Sequence, residues 1–260
     1  MVDKYQLILS EKPIAAQKIA EALTDSKIIK KLYKKVPYYE ITNNNNKIII
    51  ACAVGHLFNL KEKDGKGWTY PFFSYEWKPT YLTNKSASYT KNYIDLLKKL
   101  SKDADTFIVS TDFDEEGSLI GERINSLIFK QKDAKRMKFS SLTKQELISS
   151  YKEASPHLDW ENIMVGEVRH ILDFLWGLNS SRALTLAIKK GGTFKILSTG
   201  RVQGPALKVL EDRESKIQEF KPVPFWELEA INDLTAKHKK DKFKDKKEVD
   251  KIYQNIKDEK

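Results

Sequence analysis

Residues 106–123, TFIVSTDFDEEGSLIGER, constrain what this chain can fold into more than any other stretch. Phe107-Ile108-Val109 reads as a buried strand, and Leu119, Ile120 and Ile124 give the following segment the one-sided pattern of an amphipathic helix. Between them stand Asp112, Asp114 and Glu116, spaced i, i+2, i+4, and then Gly117. An extended chain sends residues two apart to the same side, so Asp112 and Asp114 leave the strand end together. Glu116 follows where the helix starts, and Gly117 lets backbone or ligand come close. Three carboxylates this near repel one another unless a cation sits among them. Mg²⁺ suits such a set, because it takes hard oxygen ligands, usually one or two carboxylates plus water and phosphate. An acidic helix N-terminus accounts for any one of these residues. Three of them at the carboxyl end of a buried strand, where open α/β sheets bind ligands, favour a metal site.

The rest of the first half repeats the strand-to-helix pattern. Tyr5–Leu9 reads as a strand and Ile14–Leu23 as a helix, with Pro13 in the first turn, where its missing N–H costs nothing. Glu11 and Lys12 therefore lie at a second strand's carboxyl end, and in a parallel sheet such ends share one edge. Ile48–Val54 reads as a third buried strand that follows a turn at Asn43–Asn46 and brings His56 to the same edge if it runs parallel. Spacing alone makes His56 only a weak functional signal. Residues 60–85 lack periodicity but carry Trp68, Tyr70, Phe72, Phe73, Tyr75, Trp77 and Tyr81. Such aromatics can stack on unpaired bases; a long loop pinned by its own aromatic cluster is the simpler expectation. A helix over 86–100, a short strand over 136–139 and a helix over 144–154 with Thr143 as N-cap complete the series. Strands alternating with helices over 1–155 imply an α/β domain with a mostly parallel sheet.

After Ser155-Pro156 the pattern changes to helix without strand. A long helical region from Trp160 to about Leu186 is expected to break near Gly177, and a second helix to run from Arg201 to about Ile217. Pro222 and Pro224 precede a strand-like Glu227–Ile231, and the end is lysine-rich with the look of a solvated helix face. The formal net charge of +10 favours polyanionic partners. No apolar run approaches membrane-spanning length, and the N-terminus lacks a signal peptide's pattern, so a cytoplasmic protein with no membrane contact is expected. Cys52 is the sole cysteine, which excludes an intrachain disulfide and a cysteine-based zinc finger.

Glu11 after a first strand, then Asp112-Phe113-Asp114-Glu115-Glu116-Gly117, resembles the Toprim domain shared by type IA and type II topoisomerases, primases and small nucleases. Gly55-His56-Leu57 lies between these two, and Arg169-His170-Ile171-Leu172-Asp173-Phe174-Leu175-Trp176-Gly177, Ser181-Arg182-Ala183-Leu184-Thr185, Leu197-Ser198-Thr199-Gly200-Arg201-Val202-Gln203 and Pro224-Phe225-Trp226 follow in order. That series resembles type IA DNA topoisomerases along essentially the whole chain. Glu11-Lys12-Pro13 and Trp176-Gly177 look most like the archaeal and topoisomerase-III-like branch.

The resemblance implies an α/β Toprim domain over 1–155, part of a helical single-strand-DNA-binding domain over 156–224, and the start of a β-containing arch domain over 225–260. It implies ATP-independent transesterification, in which a tyrosine attacks a phosphodiester, a strand passes and the break reseals, relaxing negative supercoils. On that resemblance Glu11 assists the leaving 3′-oxygen, Lys12 stabilises charge at the scissile phosphate, and Glu11, Asp112, Asp114 and Glu116 hold Mg²⁺. His56, Arg169, His170, Asp173 and Ser198, Thr199, Gly200, Arg201, Val202 and Gln203 correspond to the DNA-binding part. Arg201 can make forked contacts with phosphate that lysine cannot copy.

The chain also departs from the family pattern. Glu115 and His170 stand where many or some relatives carry arginine, which lowers local positive charge. The family's nucleophile segment, Gly-Leu-Ile-Thr-Tyr before an arginine, does not occur, and Tyr253 lacks its neighbours. The expectation is therefore one half of an enzyme divided between two polypeptides, in preference to a shortened chain, with the tyrosine on a second polypeptide. Other classes consistent with the residues are a Toprim metal-dependent nuclease and a DNA-binding module without chemistry.

Overall fold

The computed structural model describes residues 4–44, 46–63, 67–231 and 233–257. By contacts the chain divides into two compact units, residues 1–201 and 202–260. The first opens with strand β1 (Tyr5–Ser10), helix α1 (Pro13–Leu23), strands β2 (Ile29–Tyr33), β3 (Val36–Asn43), β4 (Asn46–Cys52), β5 (Phe58–Glu62) and β6 (Tyr75–Pro79), and the short helix α2 (Thr80–Thr83). Helix α3 (Thr90–Leu100), strand β7 (Ala104–Ser110), helix α4 (Glu115–Ile124), strand β8 (Lys135–Arg136), and helices α5 (Lys144–Lys152) and α6 (Trp160–Lys190) complete it. The six-stranded sheet has the order β2-β3-β4-β1-β7-β8. β4, β1, β7 and β8 run parallel, and β3 and β2 add an antiparallel flank.

Period-two alternation explains why this sheet is covered on both faces. Leu7, Leu9, Ile49 and Ala51 point to one side, against Ile94, Leu97, Ile120 and Ile124 of α3 and α4. Ile8, Ile48, Ile50 and Ile108 point to the other, against Ala16, Ile19 and Ala20 of α1 and Leu147 of α5. Burying each such aliphatic side chain contributes roughly 1.5–3 kcal/mol. The small residues of α1 let that helix lie close on the sheet. On the open flank, Lys34 and Lys35 both adopt positive φ (46° and 71°) in a two-residue turn that matches the twist of β2 and β3. Lys30 and Lys31 on β2 keep the outer edge charged, which discourages pairing with another chain.

Several local expectations change. Residues 60–85 are not one long loop: β5 and β6 pair antiparallel within them, with Leu60 opposite Trp77. The expected turn at Asn43–Asn46 includes Asn45, which lies outside the described residues, as do 64–66 of the aromatic stretch. The strand expected over 136–139 is only Lys135–Arg136. Thr143 occupies the N-cap of α5 without a side-chain cap bond. Glu146 serves that end of the helix instead, accepting from the Ser140 and Ser141 N–H groups at 2.5 and 3.1 Å. The helix expected over 86–100 begins at Thr90, with Ile94, Leu96, Leu97 and Leu100 buried and Tyr89 exposed ahead of it.

Helix α6 is continuous for 31 residues and does not break at Gly177. Its N-terminal half packs on α4, where Gly166 faces the Glu115 carbonyl so closely that a Cβ would collide with it. Its C-terminal half is tied to neighbouring segments by polar groups. The Asn179 amide accepts from Phe72 N–H at 3.0 Å and donates to the Phe72 carbonyl at 3.0 Å. Arg182 donates two bonds to Glu62 and one to the Thr69 carbonyl at 2.8 Å, with its guanidinium over the Phe72 ring.

The second unit contains helix α7 (Gln203–Gln218), an antiparallel pair of strands β9 (Glu229–Ile231) and β10 (Thr235–Lys237), and helix α8 (Lys246–Ile256). Its small core includes Phe243 and Val249. No residue of α7 is buried. Among the described residues no helix is long and apolar enough to cross a membrane.

Candidate metal centre and nucleic-acid interface

Parallel pairing of β4, β1 and β7 aligns their carboxyl ends, with Ser10 level with both Cys52 and Ser110. The ladder continues one step further through Ala53 N–H to Ser10 O (2.9 Å) and Val54 N–H to Glu11 O (2.7 Å). Glu11, Lys12, Asp112 and His56 therefore leave the sheet along one edge. Lys12 Nζ lies 2.5 Å from Asp112 Oδ2 and 3.8 Å from Glu11 Oε1. Burial raises the Glu11 carboxyl above its ordinary range, and repulsion from Asp112 adds to this, while Lys12 opposes it. The hydrogen bond and charge of Asp112 raise Lys12 in turn.

Asp114 caps α4. Its Oδ1 accepts the Gly117 N–H at 2.6 Å, as an aspartate at that position does. Gly117 cannot be enlarged, because a Cβ there would meet the Asp112 backbone. Thr111 Oγ1 donates to the Gly117 carbonyl at 2.6 Å, closing the acidic loop on itself. The donor set is hard oxygen throughout, and the repulsion from Asp112 that adds to burial in raising Glu11 is what a divalent cation relieves. Glu11, Asp112 and Asp114 thus suit Mg²⁺ by donor type, although among the described residues their ligand atoms do not all lie within 4.8 Å of one another, as those of Glu116, His56 and His170 do.

Glu116 faces a different set of neighbours. His56 Nε2 is 3.1 Å from its Oε2, and Arg169 Nε is 3.7 Å from its Oε1. Arg169 also pairs with Glu115 at 2.5 Å. His170, one residue on, stacks on Trp77 (5.0 Å between ring centres) and lies 5.2 Å from the His56 ring. Burial lowers its pKa, and the neighbouring His56 lowers it further. Val54 bends the chain toward this position through a positive φ of 63°.

Further along α6, Asp173 accepts a forked pair from Arg201, Nε to Oδ1 at 2.7 Å and Nη2 to Oδ2 at 3.2 Å. That bond holds the Asp173 carboxyl below its usual range. The segment before Arg201 is fastened to α6 by two hydroxyls one turn apart. The Thr199 and Leu197 N–H groups donate to Ser181 Oγ and Thr185 Oγ1, each at 3.0 Å. Ser198 is exposed and Thr199 and Gly200 half-buried. Val202 and Gln203 belong to the second unit.

Sequence reading missed Arg136. It is 1% exposed, and its guanidinium donates to the carbonyls of Thr111 (2.9 Å), Asp112 (2.8 Å), Met137 (3.2 Å) and Val109 (3.3 Å). Burial lowers its pKa to about 10, against the pull of Asp159, Asp114, Asp112 and Glu11. It is a cation beneath the acidic loop that shapes the backbone carrying Asp112. An arginine in a short strand gave no signal of this. Asn179 was also unassigned, Arg182 was noted only within the family series and Trp77 only within the aromatic stretch, and the packing of α6 shows what they hold.

Residues 6–142 match the Toprim domain family, and residues 157–260 match a family described as DNA topoisomerase. The chain is 48% identical to DNA topoisomerase 1 of Methanocaldococcus jannaschii, over 98% of this chain and 33% of that protein. It is 45% identical to DNA topoisomerase 1 of Pyrococcus furiosus, over 96% of this chain and 24% of that protein. The chain thus spans about a third or less of the length of these relatives. The structure of full-length topoisomerase I from Thermotoga maritima shares the fold, with a TM-score of 0.61 at 22% identity over 95% of this chain and 37% of that one.

Proposed function

This chain belongs to the Toprim family, in its type IA DNA topoisomerase branch, and we propose that it supplies Mg²⁺ and single-stranded DNA binding to ATP-independent strand cleavage and religation. In this reading residues 1–155 are the metal-binding domain, 156–224 the DNA-binding helical part and 225–260 the beginning of the arch. The attacking tyrosine comes from a segment outside these 260 residues. The DNA is negatively supercoiled, and the reaction takes place in the cytoplasm.

The observation that carries the reading is the meeting of Glu11, Lys12 and Asp112 at one parallel sheet edge, with Lys12 2.5 Å from Asp112. Glu11, Asp112, Asp114 and Glu116 would hold Mg²⁺, which would neutralise phosphate charge there. Lys12 is 60% exposed and tethered only by acids, so it can exchange Asp112 for a phosphate oxygen. Glu11, with its pKa raised, carries a proton more readily than an ordinary carboxyl and delivers it to the leaving 3′-oxygen. Arg169 and Arg201 are already paired with acids, Glu115 and Asp173, and exchange them for backbone phosphates. His56, His170, Ser198, Thr199 and Gly200 complete the strand's track on the first unit, and Val202 and Gln203 are DNA-contacting residues of the second.

The test is reconstitution. The chain alone is expected to bind single-stranded DNA and Mg²⁺ without forming a covalent adduct. Addition of a polypeptide carrying the Gly-Leu-Ile-Thr-Tyr segment is expected to restore relaxation, and Asp112→Asn with Asp114→Asn to abolish it. An adduct formed by the unaided chain, or metal-dependent cutting that leaves no protein on the DNA, overturns the reading.

A further inference from the structure

A cluster of ligating groups with different donor chemistry lies beside the carboxylate basin. Among the described residues, His56, Glu116 and His170 are the only three His, Cys, Asp or Glu side chains whose ligand atoms all lie within 4.8 Å of one another. Each comes from a different part of the fold: the loop after β4, the first turn of α4 and the middle of α6. Two imidazoles are poor ligands for Mg²⁺, which prefers oxygen, but good ones for borderline cations. We propose that His56, His170 and Glu116 form a binding site for a divalent cation of the Zn²⁺, Co²⁺ or Ni²⁺ class, with donor chemistry unlike that of the Mg²⁺ basin.

The geometry suits three ligands and an open position. Adjacent donors of a tetrahedral Zn²⁺ with bonds of about 2.0–2.1 Å lie roughly 3.3 Å apart. His56 Nε2 and Glu116 Oε2 are 3.1 Å apart, so that edge is already in place. The His170 ligand atom lies within 4.8 Å of both. Its ring is steadied by stacking at 26° on Trp77, which itself lies under the Arg123 guanidinium at 4.6 Å. The main chain at His56 is held by Thr80 Oγ1, which donates to its carbonyl at 2.9 Å. Metal ligation requires neutral imidazole, and burial shifts the His170 pKa downward, in the direction that favours it. Arg169 approaches the other oxygen of Glu116, at 3.7 Å, and so leaves Oε2 free to ligate.

Binding of such a cation does not depend on the Mg²⁺ assignment. One consequence does rest on that assignment: occupancy takes Glu116 from the basin and opposes Mg²⁺-dependent function.

The experiment uses the 260-residue chain stripped by a chelator, titrated calorimetrically with Zn²⁺ and, separately, with Co²⁺ followed by visible absorption. One Zn²⁺ per chain is expected, and Co²⁺ should develop the bands of a four- or five-coordinate imidazole complex. His56→Gln and His170→Gln should each weaken Zn²⁺ binding by about tenfold or more, since each deletes a ligand. His157→Gln, at an exposed histidine paired with Asp133, should leave it unchanged. Thermal melts identify any variant that fails to fold, and the wild-type Co²⁺ spectrum then decides. The proposal is overturned by a wild-type chain that binds no Zn²⁺, by folded His56→Gln and His170→Gln chains with wild-type affinity, or by a Co²⁺ complex without imidazole character. Asp112→Asn should weaken Mg²⁺ and spare Zn²⁺, so failure of one assignment is distinguishable from failure of the other.

Discussion

A buried guanidinium facing four carbonyls puts much of this site's order into a single side chain. Replacing Arg136 with methionine keeps the bulk and leaves those acceptors unpaired in the interior. A loss of roughly 3 kcal/mol in urea unfolding is expected, with weaker Mg²⁺ binding in whatever fraction folds. Glu11 shows the opposite sign. Its pKa is raised on folding, so its contribution to stability is fully present below the ordinary value of 4.5 and is lost as pH rises through the raised value. Metal-free Glu11→Gln should therefore melt higher than wild type at pH 7, and the two should converge below about pH 4. A Glu11→Gln chain that melts lower at neutral pH would show that the carboxylate is stabilising instead.

At the scale of elements, α6 decides which groups meet, and its two glycines make opposite demands. Gly166 lies against the α4 backbone, and adding a methyl group there must push the helices apart. Gly166→Ala is expected to cost about 1–3 kcal/mol and to weaken the Arg169–Glu115 contact. At Gly177 the nearest atom to an added Cβ is the Thr199 carbonyl at 3.7 Å, an ordinary contact. Gly177→Ala should stabilise the chain by roughly 0.5–1 kcal/mol through helix propensity. Chemical denaturation of both variants checks the pair. The expected break at Gly177 failed for this reason: a lone glycine weakens a helix by too little to end one whose neighbours are held by Asn179, Ser181, Arg182 and Thr185.

Over the whole molecule, the first unit folds around a sheet buried on both faces, and its one thiol reports on that. Cys52 is wholly buried at the end of β4, and burial pushes its pKa up to about 12. Labelling by a thiol reagent at pH 8 should be slower than in denaturant by a factor on the order of 10³ or more, and should follow unfolding of the unit. Rapid labelling under native conditions would contradict the packing of that strand. The second unit differs, with exposed apolar residues such as Leu207, Val209 and Leu210 along α7.

Period-two and period-3.6 patterning made the parallel strands and their helices legible from residues alone, because burial on a sheet face selects apolar side chains at a spacing that can be read in one dimension. The same patterning placed Glu11, Asp112 and Asp114 at strand ends, since position along an element needs no knowledge of its partners. Tertiary structure alone decided that Glu116 turns toward His56 and His170, that Arg136 lies beneath the acidic loop, and that α6 runs unbroken. Those outcomes depend on contacts between residues far apart in the chain, where the direction of a side chain is set by what packs against it and leaves no local period to read.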